Sequence, residues 1–183
     1  AVSCFDQNKS VTGLMPESMI EDTARCIAKT EELFAKYPGR YEKRLTVSAS
    51  FRGMNNSSDE LILALKRIAQ RHKAVLQTHA CYSYFTHDSS IVQHGKPEIE
   101  RLEALGVLDE NMLLLHAGWL EPHEIAILAR RKPTLVCCPS SSLHNGYGNL
   151  AVGRHPELMA LGVNVTLGTD HASSGSVDLV QEM

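Results

Sequence analysis

Neither GxGxxG nor GxxxxGK[ST] occurs in this 183-residue chain, and without a glycine-rich phosphate loop an open nucleotide-binding sheet is disfavoured. No CxxC pair occurs, which argues against a cysteine zinc site. The five cysteines, Cys4, Cys26, Cys81, Cys137 and Cys138, are an odd number, and two of them adjoin inside an apolar run. They read as reduced, buried thiols rather than a disulfide framework. Apolar runs of roughly 18 residues are missing, and AVSCFDQNKS lacks the charged-then-apolar pattern of a secretion signal. No membrane partner is therefore expected, and the cytoplasm is the expected compartment. An excess of positive charge is missing too: 18 Lys and Arg against 21 Asp and Glu leave a net charge of −3. Such a surface has no broad cationic field for phosphate backbones, so nucleic acid is not an expected partner.

What is present is a globular composition, 43% hydrophobic and 21% charged, that reads as a single domain over residues 1–183. Short apolar runs alternate with helical periodicity along its length. Strands are expected near residues 1–5, 45–50, 74–78, 112–116, 134–138 and 163–168. Helices are expected from Pro16 to about Pro38, after Ser57-Ser58-Asp59-Glu60, within 90–105, at 122–131, around 156–161 and from about Gly175. That makes about six β-then-α units. Alternation implies parallel pairing, and the nearly all-apolar strands imply burial on both faces, so the fold class is α/β, a partial TIM-like (β/α) barrel.

In such a barrel the chemistry sits at the C-terminal ends of the strands. Three strand ends carry metal-ligand types: His79 in QTH, His116 in LLH and Asp170 in GTD. A lone histidine at a strand end is more often a hydrogen-bonded core residue. Three such ends together suit a divalent first-row metal, with zinc expected first and iron second.

The run LLLHAGWLEPHEIAILARRKPTLVCCPSSSLHNGYG, then LGVNVTLGTDHASSGSVDLVQEM, resembles the second half of the amidohydrolase superfamily. The similar branch holds cytosine, guanine and S-adenosylhomocysteine deaminases and triazine hydrolases. HGKPEIERLEALGVL, between His79 and His116, is similar as well. The resemblance implies that the chain corresponds to barrel strands 3 to 8 of that fold. It implies His79 as the fifth-strand metal ligand, and Asp170 as the eighth-strand ligand that takes the proton of the attacking water. His116 is the sixth-strand histidine, a ligand in two-metal members and a hydrogen-bonding group in single-metal members. A small-molecule substrate follows, with hydrolytic deamination of a heterocyclic amine as the expected reaction. Triazine dechlorination or N-dealkylation is the alternative.

Two departures from the family pattern stand out. No HxH pair occurs, although family members bear one on the first strand, which implies a fragment. Such a fragment is expected to self-associate or to need a missing N-terminal segment, and a catalytically incomplete barrel is the second alternative. The family's glutamate three residues after the fifth-strand histidine is replaced by Tyr82, whose phenol, with an ordinary pKa of about 10, is a poor proton shuttle at neutral pH. Tyr82 is accordingly read as a substrate contact, together with Arg52 in SFRGMNNSS, Trp119 three residues after His116, and His171 beside Asp170. Ser140 to Ser142 could line the pocket. His87, His94, His123 and His155 read as surface residues.

Overall fold

The computed structural model describes residues 4–7, 16–37, 39–170 and 177–183, with only the backbone at Lys43. The chain divides into two compact units, Ala1–Thr78 and His79–Met183.

In the first unit, a 3₁₀ turn (Glu17–Met19) precedes α1 (Thr23–Lys36), and a single turn, α2 (Arg40–Lys43), follows. The helix expected from Pro16 therefore begins later. The reason is local: the Asp22 side chain accepts the Arg25 N–H and so caps α1 at that point. Strand β1 (Ala49–Gly53) runs into a second 3₁₀ turn (Met54–Asn56), and α3 (Asp59–Arg71) leads to β2 (Leu76–Ala80). Ser58 caps α3 by accepting the Leu61 N–H, and Asp6 accepts both the Ser58 N–H and its hydroxyl. The expected strand at 45–50 lies about four residues further on. Phe51 is fully buried and takes the strand with it, whereas Leu45 is exposed. Ala49 N–H bonds Val75 O, so β1 lies beside β2, and Cys4 makes a parallel bridge to Phe51 where an opening strand was expected.

The second unit takes up the last two residues of β2 and continues through α4 (Tyr84–His94), α5 (Glu98–Ala104), β3 (Met112–His116), α6 (Pro122–Arg131) and β4 (Thr134–Cys137). Then come α7 (Pro139–His144), α8 (Asn149–Val152), α9 (His155–Ala160) and β5 (Val165–Leu167). The expected helix within 90–105 is two helices, because Gly95 ends α4 at φ 67° and Pro97 precedes α5. Strands β3, β4 and β5 are parallel neighbours, with Leu114 opposite Leu135 and Val136 opposite Thr166. Gly168 is demanded by this packing, since a Cβ there would lie 2.6 Å from Val136 Cγ1. The last expected helix begins outside the described residues, and 177–183 form turns instead of a helix. Among the described residues no helix is long and apolar enough to cross a membrane.

Candidate metal centre

Three strand ends of the second unit converge. His79 is the penultimate residue of β2, His116 closes β3, and Asp170 follows β5 by three residues. His79 Nε2 lies 3.4 Å from Asp170 Oδ1, and His116 Nε2 lies 3.8 Å from Asp170 Oδ2. The two imidazoles stack with centroids 5.6 Å apart at 27°. One donor atom from each residue fits within a 4.8 Å span. Donors bound tetrahedrally at about 2.0–2.1 Å stand roughly 3.3 Å from one another, and the two separations from Asp170, 3.4 and 3.8 Å, lie near that value. Three protein donors also match the ligand count of catalytic zinc sites that keep an open position.

The backbone around these residues is unusual. His116 (φ 77°), Ala117 (φ 45°), Asp170 (φ 63°) and Cys81 (φ 50°) all occupy the left-handed region. Each costs a non-glycine residue about 1–3 kcal/mol, and such residues cluster where a site is held under constraint. Here each one follows or ends a strand and turns the chain sharply at the cluster.

Burial would raise the Asp170 carboxyl, but other groups outweigh it. Hydrogen bonds from His79 and from the Ser141 hydroxyl (2.6 Å to Oδ2), with the charges of His116 and His79, hold it well below the usual carboxylate range. Asp170 is thus an anion throughout the physiological range. Ser141 is in turn fixed by Asn145, whose Nδ2 donates to the Ser141 carbonyl and hydroxyl. The helix bearing Ser141, α7, is held by Glu182 of the DLVQEM motif, which accepts the Ser140 N–H at 2.9 Å.

Behind the cluster lies a second set of carboxylates. Glu98 and Glu124 are buried, and Glu124 accepts the Ile99 N–H at 2.8 Å and the Glu121 N–H at 2.9 Å. Burial raises the Glu98 carboxyl from an ordinary 4.5 to about 7, against the hydrogen bond from Cys81 and the charge of Arg101, with Glu124 adding to the rise. A carboxyl with a raised folded pKa binds its proton more tightly folded than unfolded. Its contribution to stability is therefore lost as pH climbs from about 4.5 to about 7. Urea unfolding across that window should show Glu98→Gln gaining on the wild type as pH rises; a difference independent of pH would contradict the assignment.

Of the residues read as substrate contacts, Tyr82 adjoins the centre, its ring 5.7 Å from that of His116 and 6.5 Å from that of His79. Trp119 reaches the centre through another residue. Its indole N–H donates to Tyr147 O at 2.7 Å, and it lines a cavity of about 170 Å³ with Tyr84, His87, Leu120 and Glu121. Arg52 is half-buried in β1 of the first unit, and its N–H bonds Cys4 O. His171 lies outside the described residues.

Sequence reasoning missed Tyr147, whose ring packs at 5.1 Å on Tyr82 and edge-on to His116 at 5.6 Å. Only the NGYG turn hinted at it. Two histidines read as surface residues are buried instead. His155 Nε2 pairs with His116 O at 2.7 Å, and His87 sits 3.5 Å from Glu121. Their partners come from distant segments, so spacing could not reveal them.

The chain is similar to known proteins. The model of the Amidohydrolase family matches residues 4–183. A 5'-deoxyadenosine deaminase of Methanothrix thermoacetophila is 37% identical over 127 residues, 69% of this chain and 30% of its own. A 5-methylthioadenosine/S-adenosylhomocysteine deaminase of Archaeoglobus fulgidus is 29% identical over 146 residues, 80% of this chain and 34% of its own. The chain thus spans about a third of the length of these curated relatives. Among solved structures, the zinc complex of atrazine chlorohydrolase TrzN from Arthrobacter aurescens superposes with a TM-score of 0.88 at 21% identity, over 98% of this chain and 39% of that one. Guanine deaminase from C. acetobutylicum gives 0.80 at 23% identity, over 96% and 40%. These two likenesses show the α/β barrel fold, of which this chain supplies a part. With a family match over nearly its whole length, the chain belongs to the amidohydrolase family.

Proposed function

We propose that this chain carries the metal- and substrate-binding portion of a hydrolase that deaminates an amino-substituted heterocycle, in the manner of an adenosine-type nucleoside losing ammonia. The observation that carries the reading is the meeting of His79, His116 and Asp170 within 4.8 Å, in a family match covering residues 4–183. Its names among relatives are those of deaminases acting on 5'-deoxyadenosine and 5-methylthioadenosine/S-adenosylhomocysteine.

His79, His116 and Asp170 would hold a divalent metal, with zinc preferred on spacing and donor type. Such a metal lowers the pKa of water from about 15.7 toward about 7 and so supplies hydroxide at neutral pH. Asp170 accepts the proton of the attacking water. Its hydrogen bond from Ser141 Oγ keeps one oxygen aimed while the other faces His79. Attack forms the C–O bond and makes the ring carbon tetrahedral; the proton taken by Asp170 then passes to the amino nitrogen, and the C–N bond breaks to release ammonia. Among the described residues Asp170 is the only carboxylate of the cluster, so it alone serves both transfers. Tyr82 and Tyr147 present two rings beside His116, a wall suited to a flat heterocycle.

Tyr82 favours one second reading, because a departing chloride needs no proton where a departing amine does. One panel separates the two. The zinc-loaded protein is incubated with 5'-deoxyadenosine, methylthioadenosine, S-adenosylhomocysteine, guanine and a chlorotriazine, and ammonia and chloride are both measured. Ammonia from a purine is the expected result. Chloride alone would establish the second reading, and release of neither would sink both.

A further inference from the structure

The geometry points to Glu98 as the positioning residue that holds the His79 and His116 loops in register, through the backbone of Cys81. The inference rests on the metal-centre reading for its consequence, though not for its geometry. Glu98 is 1% exposed, and its Oε2 accepts the Cys81 N–H at 2.5 Å. Cys81 stands two residues after His79 at φ 50°, a conformation that needs outside support. The carbonyl of the same residue accepts the N–H groups of Gly118 (3.1 Å) and Trp119 (3.0 Å), and Ala117 N–H bonds Ala80 O at 3.0 Å. Ala117 and His116 are themselves left-handed. The two consecutive peptide units that flank the Cys81 Cα therefore tie the strand end of the first histidine to that of the second, and one buried carboxyl fixes the N–H of the first of them.

The carboxylate is fixed in its turn. Glu124, 0% exposed, accepts the Ile99 N–H with one oxygen and the Glu121 N–H with the other, joining the first turn of α5 to that of α6. A buried carboxyl that satisfies a backbone donor is costly to remove, because the orphaned N–H then lies in a site from which water is excluded. Groups that orient metal ligands from behind typically change metal affinity by about 10- to 100-fold when lost. Glu98 acts on the ligands through the main chain, so its loss should loosen both histidines together.

The test compares wild type, Glu98→Ala, Glu98→Asp, Glu98→Gln and Leu102→Ala, the last being fully buried in the same helix. Zinc affinity is read by competition with a chromophoric chelator, and amide hydrogen exchange of Cys81, Gly118 and Trp119 is read in the metal-free protein. Glu98→Ala should lose about 10- to 100-fold in zinc affinity and the protection of those three amides. Glu98→Asp, which keeps the carboxyl but withdraws it by one methylene, should fold and still lose both. Glu98→Gln should keep both, because the amide oxygen accepts the same N–H. Leu102→Ala should melt earlier with zinc affinity intact. Unchanged protection in both Glu98→Ala and Glu98→Asp overturns the inference, as does an equal loss of zinc affinity in Leu102→Ala. A wild type that binds no zinc overturns the metal centre instead, and the exchange rates then decide the role of Glu98 by themselves.

Discussion

Turnover in Asp170→Asn is expected to fall by a factor of about 100 to 10,000, the range that loss of a positioned general base produces. The amide keeps the shape of the side chain and can still meet His79 and Ser141, so folding should survive. What disappears is the negative charge, and with it the basicity that the proposed metal binding and proton transfer require. The carboxyl is held as an anion by hydrogen bonds from His79 and Ser141 and by the charges of His116 and His79, which together outweigh its burial. Steady-state rates on the zinc-loaded protein, with zinc content measured on the same samples, are the check. Activity within tenfold of wild type at full zinc occupancy would remove Asp170 from the chemistry.

The second large effect concerns the metal itself. Losing the group behind a ligand costs about 10- to 100-fold in affinity, so losing a ligand should cost at least about 100-fold. His79→Ala and His116→Ala are both expected to reach that loss in chelator competition, because both Nε2 atoms lie within ligand spacing of the Asp170 carboxylate. The two differ in surroundings: the His116 side chain is 2% exposed and that of His79 18%. His116→Ala therefore also opens an internal void and should melt at lower temperature. Were His116→Ala to keep wild-type zinc affinity while losing turnover, His116 would be a hydrogen-bonding group to the substrate or nucleophile and the ligand set would shrink to two.

Much of this was legible beforehand because it depends on local order along the chain. Alternating apolar runs and helical periodicity specify parallel strands with crossover helices, and that pattern alone puts strand ends together. β3 and α6 fall at the expected residues, since MLLLH is bounded by polar turns and Pro122 opens a helix capped by Glu121 and Glu124. β1 was displaced because period and β-propensity favour Leu45 to Val47 as much as Ser50 to Gly53. Only burial of Phe51 decides between them, and burial is a property of the assembled unit.

By itself the sequence determined the α/β class, the family, and the three side chains with metal-ligating chemistry. Tertiary structure alone decided their company: Ser141 on Asp170, His155 on the His116 carbonyl, Tyr147 against Tyr82, and Glu98 on Cys81. The physical reason is that a ligand is recognised by the chemistry of one residue, whereas its support is a set of hydrogen bonds and ring contacts between segments far apart in the chain. Such partners share no spacing rule, and they become neighbours only when the strands are laid side by side.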